Sequence, residues 1–248
     1  MTKQRPEAPP SRLHARALRR VCAGIPFALG LAWTTTASAI AVGQLDTFQN
    51  GTTLQWVDAL GGAISPVPPT VAANAGPDGA GDFALRITAT GAVSGPGGRL
   101  VVNNIQARWI GNYTSAGVNA VMLDVRNQSA VDLTLRVGVD GPAVGANGGR
   151  WVSQGILVPS GSGWRTIVFS LLPGDLLPVD FASTDVATTL ANVAVLRVMH
   201  APSASWVGAP QLGQVDIDNV EALPEPKVGL ALLVGSLFIR WLAPSRSH

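Results

Sequence analysis

Between residues 118 and 139 apolar and polar side chains alternate. Leu133, Leu135, Val137 and Val139 are interleaved with Asp132, Thr134, Arg136 and Gly138, a period of two that gives a strand with one face in a core. The preceding stretch, Val118 to Arg126, repeats the pattern with Val121, Leu123 and Val125 against Met122, Asp124 and Arg126. The short link Asn127 to Ala130 then predicts that the two strands pair as an antiparallel hairpin. Further strands are expected at Phe83 to Thr90, Arg150 to Val158, Trp164 to Leu171, Val193 to His200 and Gln214 to Val220. Turn-forming clusters interrupt the chain about every ten residues. Ala63 to Thr70, Ala92 to Gly98 and Gly141 to Gly149 read as surface loops, and Pro173 to Pro178 as a connector. Outside the two ends, helical period is confined to a short piece near Thr184 to Ala191. This is the texture of an all-β sandwich of antiparallel strands.

The ends follow other rules. A polar leader carrying Arg12, Arg16, Arg19 and Arg20 runs into the apolar stretch Val21 to Trp33 and then Ala37-Ser38-Ala39. That order reads as a signal peptide over residues 1–39, with Ile40 as the first mature residue and Ala39-Ile40-Ala41 as a second cleavage candidate. At the other end, Pro224, Glu225, Pro226 and Lys227 precede an uncharged run from Val228 to Ile239, then Arg240, Trp241 and Arg246. As a single helix the run is about 18 Å long, against roughly 30 Å of hydrocarbon. A short membrane-inserted helix held by flanking Lys and Arg, and a helix docked on the domain, are the two readings of that segment.

Removing the leader changes the charge. It takes six basic residues and the only cysteine, Cys22; residues 40–223 then hold eight arginines and no lysine against thirteen Asp and Glu, a balance of −5. The formal +2 of the full chain thus belongs to the precursor, and no nucleic-acid partner is implied. Without cysteine in this region, disulfides and thiolate metal sites are excluded. About 180 residues suffice for one core, so residues 40–223 are read as one domain and 224–248 as a tail.

Catalytic chemistry finds little support. Glu221 is the only Glu between Ile40 and Leu223, and Asp216 and Asp218 fall on the same strand face, too close together for an inverting hydrolase. His200 is the only histidine between Ile40 and Leu223, and no Ser or Cys sits in a nucleophile-elbow context. No catalytic residue is assigned; a lyase built on Tyr113, His200 and an Arg is the remaining enzymatic arrangement. For sugar stacking, Trp109, Tyr113, Trp151 and Trp206 are the candidates because they adjoin Gly- or Ser-rich segments, while Trp56 and Trp164 are expected in or near the core.

Two resemblances add to this. The order of Pro-Glu-Pro motif, apolar segment and basic end resembles the PEP-CTERM sorting signal, whose proteins are recognised and cleaved near the motif by an exosortase, a membrane transpeptidase. It implies transient tethering to the inner membrane, then release to the cell surface or extracellular matrix; a permanently anchored surface protein is the alternative. Four fragments, Asp46 to Trp56, Asp82 to Thr88, Gly163 to Phe169 and Val215 to Val220, resemble in order strands of jelly-roll domains of the carbohydrate-binding-module and galactose-binding type. This implies a non-catalytic sandwich that binds or scaffolds extracellular polysaccharide, the alternative being a polysaccharide-modifying lyase or hydrolase. Domains of that type often clamp a structural calcium between first and last strands, which makes Asp46, Asp82 and Asp218, with Asp216 as alternate, candidate ligands. Solvated acidic edges are the other reading of the same residues. No other cofactor is called for.

Overall fold

The computed structural model describes residues 39–142, 148–180 and 183–224. The expected leader, Glu225, Pro226 and the apolar run of the tail lie outside these residues. Among the described residues no helix is long and apolar enough to cross a membrane.

Among the described residues twelve strands form in the order β1 (Leu45–Asp46), β2 (Thr70–Ala73), β3 (Phe83–Thr90), β4 (Val101–Asn104), β5 (Ala120–Asn127), β6 (Leu133–Gly141), β7 (Gly149–Val152), β8 (Ile156–Val158), β9 (Arg165–Ser170), β10 (Leu177–Pro178), β11 (Val195–His200) and β12 (Leu212–Leu223). One sheet runs β2-β3-β12-β5-β9 with β1 added to β12; the other runs β10-β7-β6-β11-β4 with β8 added to β6. All pairings are antiparallel. Two short helices interrupt the strands. Helix α1 (Tyr113–Ala116) starts where Asn112 Oδ1 accepts from the Ser115 N–H, and α2 (Val186–Leu190) where the Asp185 carboxylate accepts from the Thr188 N–H.

The sandwich fills from the alternating positions. Val121, Leu123 and Val125 of β5, Leu85 and Ile87 of β3, and Val215 and Ile217 of β12 meet Leu133, Leu135, Val137 and Val139 of β6 and Leu196 and Val198 of β11 in one buried cluster. The strand faces are therefore as the pattern requires, but the expected hairpin is not. β5 pairs with β12 and β9 in one sheet, while β6 pairs with β11, β7 and β8 in the other. The link between them crosses the sandwich, so the two apolar faces oppose each other instead of lying side by side. Asn127 holds this crossing: its Nδ2 donates to the carbonyls of Val131 and Val158, both at 2.9 Å, and its Oδ1 accepts from the Ser129 N–H.

The expected strand Arg150 to Val158 is also divided. Arg136, buried at the sheet surface, donates from Nη1 to the Ser153 carbonyl and from Nε to the Ala201 carbonyl, and a Cβ at Gly155 would lie 3.0 Å from its Nη2. The break between β7 and β8 makes room for the guanidinium and supplies an acceptor. Trp164, expected in the core, is instead half-buried just before β9; its Nε1 donates to the Ala75 carbonyl and Arg126 lies 5.1 Å over its ring.

Candidate functional site

A second, smaller apolar cluster lies on the opposite side of the β6 sheet from the main core. It joins Val101, Val152, Val195 and Met199, whose strand neighbours Val102, Leu196 and Val198 face the main core, with Ala201, Trp206, Val179 and the half-buried Leu60. Loops thus fold down over this outer face, and the space between them is a groove of about 440 Å³. Asp140 of β6, Arg150 of β7, Arg197 of β11 and Val101 of β4 form its floor; Asp58, Ala63, Pro96, Arg99 and Val207 stand on its walls. The seat of Trp206 explains a glycine in the middle of β6. A Cβ on Gly138 would lie 2.9 Å from Trp206 Cζ3 and 2.9 Å from Met199 Cε, so the indole rests where other residues carry a side chain.

Charge converges on this indole. The Arg197 guanidinium lies 4.2 Å and that of Arg150 5.4 Å from the Trp206 ring centre. Arg197 is further held by Asn103 Oδ1, 2.6 Å from its Nε, and by the Trp206 carbonyl. Its pKa is pushed down to about 10, first by loss of solvent and then by the nearby Arg150 charge, with Asp140 and Asp180 acting the other way. Arg150 pairs with Asp140 at 3.2 Å and with Asp180 at 3.6 Å. Arg99 and Arg197 have no carboxylate within ion-pair distance among the described residues. Two atoms on groove-lining residues, Asp58 Oδ2 and Arg99 Nε, are buried with no hydrogen-bond partner among the described residues.

The expected stacking residues do not form a platform. Trp109 and Tyr113 are 0% exposed, in the main core, so neither offers a ring face to a sugar. Trp109 Nε1 donates to Asp46, and the Tyr113 hydroxyl, its pKa raised by burial, donates to the Trp109 carbonyl. The glycine beside them marks a turn that folds inward: Gly111 pairs with Val193. Trp151 is half-buried against the main core, and its Nε1 donates to the Thr184 carbonyl. Trp206 does line the groove, but only 4% of it is exposed and guanidiniums cover the ring. A lyase centre is not assembled either. His200 Nδ1 accepts from the Thr134 N–H, and burial lowers its pKa and keeps the ring neutral, while Tyr113 is enclosed elsewhere in the core.

The four aspartates expected around calcium do not come together as one set, although Asp82 and Asp218 lie near enough to repel each other. Asp46 Oδ2 accepts from the indole N–H groups of Trp56 and Trp109, both at 2.8 Å, and from Arg108 at 3.2 Å. Asp216 is clasped by Arg86, Arg126 and Gln128. Cationic and N–H donors occupy both carboxylates, which is where a calcium ion would need open oxygens. Asp82 accepts from Gln49 and from the Asp78 N–H, and it lines a separate hollow of about 440 Å³ with Asp78 and Asn219. Asp218 keeps Oδ2 without a partner, and its pKa is raised to about 7, chiefly by burial and further by Asp82, Asp124 and Asp78, against the Asn219 N–H that lowers it. Among the described residues no group of three or more His, Cys, Asp or Glu is placed to hold a metal. The expected four-aspartate set does not fit such an ion.

The residues that do converge, Asp58, Arg99, Asp140, Arg150 and Arg197, were not singled out from the sequence. Their signal was weak but present: Asp140 falls on the polar side of the alternation continued from β6, and Arg150 and Arg197 stand in expected strands as isolated charges. A larger hollow, about 550 Å³, lies between residues 52–55 and 106–108. Its wall contains Leu54 and Gln55 at φ of 50° and 61°, a left-handed backbone fixed by the bond from Arg108 Nη2 to the Leu54 carbonyl.

No protein-family model matches the chain, and no curated protein matches it. Solved structures with a similar course of chain include the family 11 carbohydrate-binding module from Clostridium thermocellum in complex with a β-1,3-1,4-mixed-linked tetrasaccharide, 16% identical, covering 74% of this chain and 97% of that one, with a TM-score of 0.47. An exo-β-agarase is 13% identical over 75% of this chain and 26% of its own, TM-score 0.49. The family 30 carbohydrate-binding module of a Clostridium thermocellum cellulosomal cellulase is 12% identical, covering 77% and 96%, TM-score 0.40.

Proposed function

We propose that the domain is a non-catalytic polysaccharide-binding sandwich and that the outer-face groove is its binding site. The observation that carries this reading is the groove itself, about 440 Å³, lined by three guanidiniums and the Asp58 carboxylate beside the exposed Val207. Guanidinium N–H groups and a carboxylate together offer donors and acceptors to sugar hydroxyls, each of which donates and accepts at once. Val207 and the 91%-exposed Ile64, next to Ala63, supply an apolar lip for the C–H faces of a sugar ring. The open course of the groove suits a polymer more than a small metabolite. A hydrolase would need a carboxyl group kept protonated beside the scissile bond. The carboxyl with a raised pKa is Asp218, which belongs to the other sheet.

In the same reading the chain is exported by its leader, held briefly at the inner membrane by the segment after Pro224, cut there by an exosortase, and released to the cell surface or matrix. Affinity electrophoresis of the full chain through gels containing extracellular polysaccharides tests the binding half. Retardation by at least one polymer, reduced by Val207→Asp at the groove lip, is expected; free migration in every gel would remove the assignment. Mass spectrometry of the protein from its native cells tests the sorting half. The expected product begins at Ile40 and lacks Trp241 and Leu242, and finding both in a released product would contradict cleavage.

A further inference from the structure

The groove is built with more positive charge than its hydrogen bonding uses. Only eight arginines serve residues 40–223, a region with a balance of −5, and three of them line this one groove. The charge of Arg150 is matched by Asp140 and Asp180. Arg99 and Arg197 make no ion pair among the described residues: Arg99 reaches the Val93 carbonyl through Nη2, and Arg197 reaches Asn103 Oδ1 and the Trp206 carbonyl, with Asp140 and Asp180 acting on it only from beyond ion-pair distance. Arg150 and Arg197 also crowd one indole, where the Arg150 charge disfavours that of Arg197. Arginines gathered along one groove, two of them without an ion pair, favour an anion in that groove.

Resting on the polysaccharide reading, we infer that the groove selects an acidic glycan and receives a uronate carboxylate on the guanidiniums of Arg99 and Arg197, with Asp58 accepting from a neighbouring hydroxyl. A carboxylate matches the planar guanidinium fork, and charge-assisted bonds of this kind are about twice as strong as neutral ones. Asp58 and Asp140 set the limit of the preference. With two carboxylates already beside the groove, a densely sulfated chain would meet repulsion at each residue, whereas one carboxylate per sugar leaves hydroxyls to face Asp58.

The test compares the full chain in gels containing polygalacturonate, the same polymer fully methyl-esterified, a neutral mixed-linked β-glucan, and dextran sulfate. Retardation is expected in polygalacturonate, with affinity falling as salt is raised, and about tenfold weaker or absent on the ester. Arg99→Gln should weaken polygalacturonate binding about tenfold, by more than it weakens any residual binding to the ester, with the circular dichroism spectrum confirming the fold. Equal retention by ester, neutral glucan and polygalacturonate would overturn the acidic preference while leaving polysaccharide binding in place. Retention by dextran sulfate alone would overturn the carboxylate assignment. No retention in any gel would overturn this inference together with the reading it rests on. Because the full chain carries a formal +2, the dextran sulfate gel reports nonspecific attraction of polyanions, and retention by polygalacturonate beyond that level reports on the groove.

Discussion

Asp46 and Asp218 are both enclosed carboxylates, each about 1% exposed, yet their surroundings are opposite. Asp46 collects two indole N–H groups and a guanidinium, a satisfied buried anion tying β1 to the segment before α1. Asp218 has one oxygen on the Asn219 N–H and the other on nothing, with Asp78, Asp82 and Asp124 adding like charge. Because its folded pKa, about 7, stands above its unfolded value, the native state keeps a proton that the unfolded chain gives up near pH 4. Its contribution to stability is present below pH 4, declines as pH rises to about 7, and is gone above that. Asp218→Asn should therefore raise stability at pH 8 by about 1–3 kcal/mol and change it little at pH 4, measured by urea unfolding at both pH values. A stabilisation equal at the two pH values would refute the assignment. The sequence marked both aspartates as special without separating their roles. What separates them is the arrival of Trp56, Trp109 and Arg108 at one site and of three carboxylates at the other, and neither event is local in sequence.

At the scale of elements, alternation fixed which side chains of β5 and β6 face inward and left open which sheet each joins. Apolar faces on consecutive strands are equally served by lying side by side or by opposing each other across a core. The choice was made by Asn127, whose amide satisfies two carbonyls and turns the chain across the sandwich. Asn127→Ala strips both, and a loss of about 2–3 kcal/mol in chemical denaturation is expected, well above that for Gln128→Ala, whose exposed side chain reaches only Asp216. Equal losses would remove the crossing role. The short strands β2 and β4 escaped notice because the first follows a Pro-rich stretch read as loop and the second spans four residues. Trp109 and Tyr113 were misplaced for a related reason: the flanking glycine signals a turn, and a turn can fold into a core as well as out of it.

For the molecule as a whole, the sequence disclosed the two-sheet class and the acidic domain, and withheld the groove. The groove's walls come from residues 58–63, 95–99 and 206–207, and its floor from four strands, so no single window of sequence contains it. The engagement of Asp46 and Asp216 by arginines carries a prediction at this scale. Adding a chelator should leave the melting midpoint of the domain unchanged, since Arg108 and Arg86 already neutralise the carboxylates that a calcium ion would bridge; a fall of several degrees reversed by calcium would show an ion that this arrangement does not anticipate. The middle strand of the groove sheet, β6, brings these points together. On one side it carries Val137 and Val139 into the main core, and on the other Gly138 and Asp140 beneath Trp206 and the arginines. Successive residues of one strand thus answer to two different selections. A core substitution at Val137 that shifts the backbone by a fraction of an ångström also tilts the indole's seat, so the shape of the groove and thermal robustness are linked traits in this protein, and variation of the groove has to come from its loops.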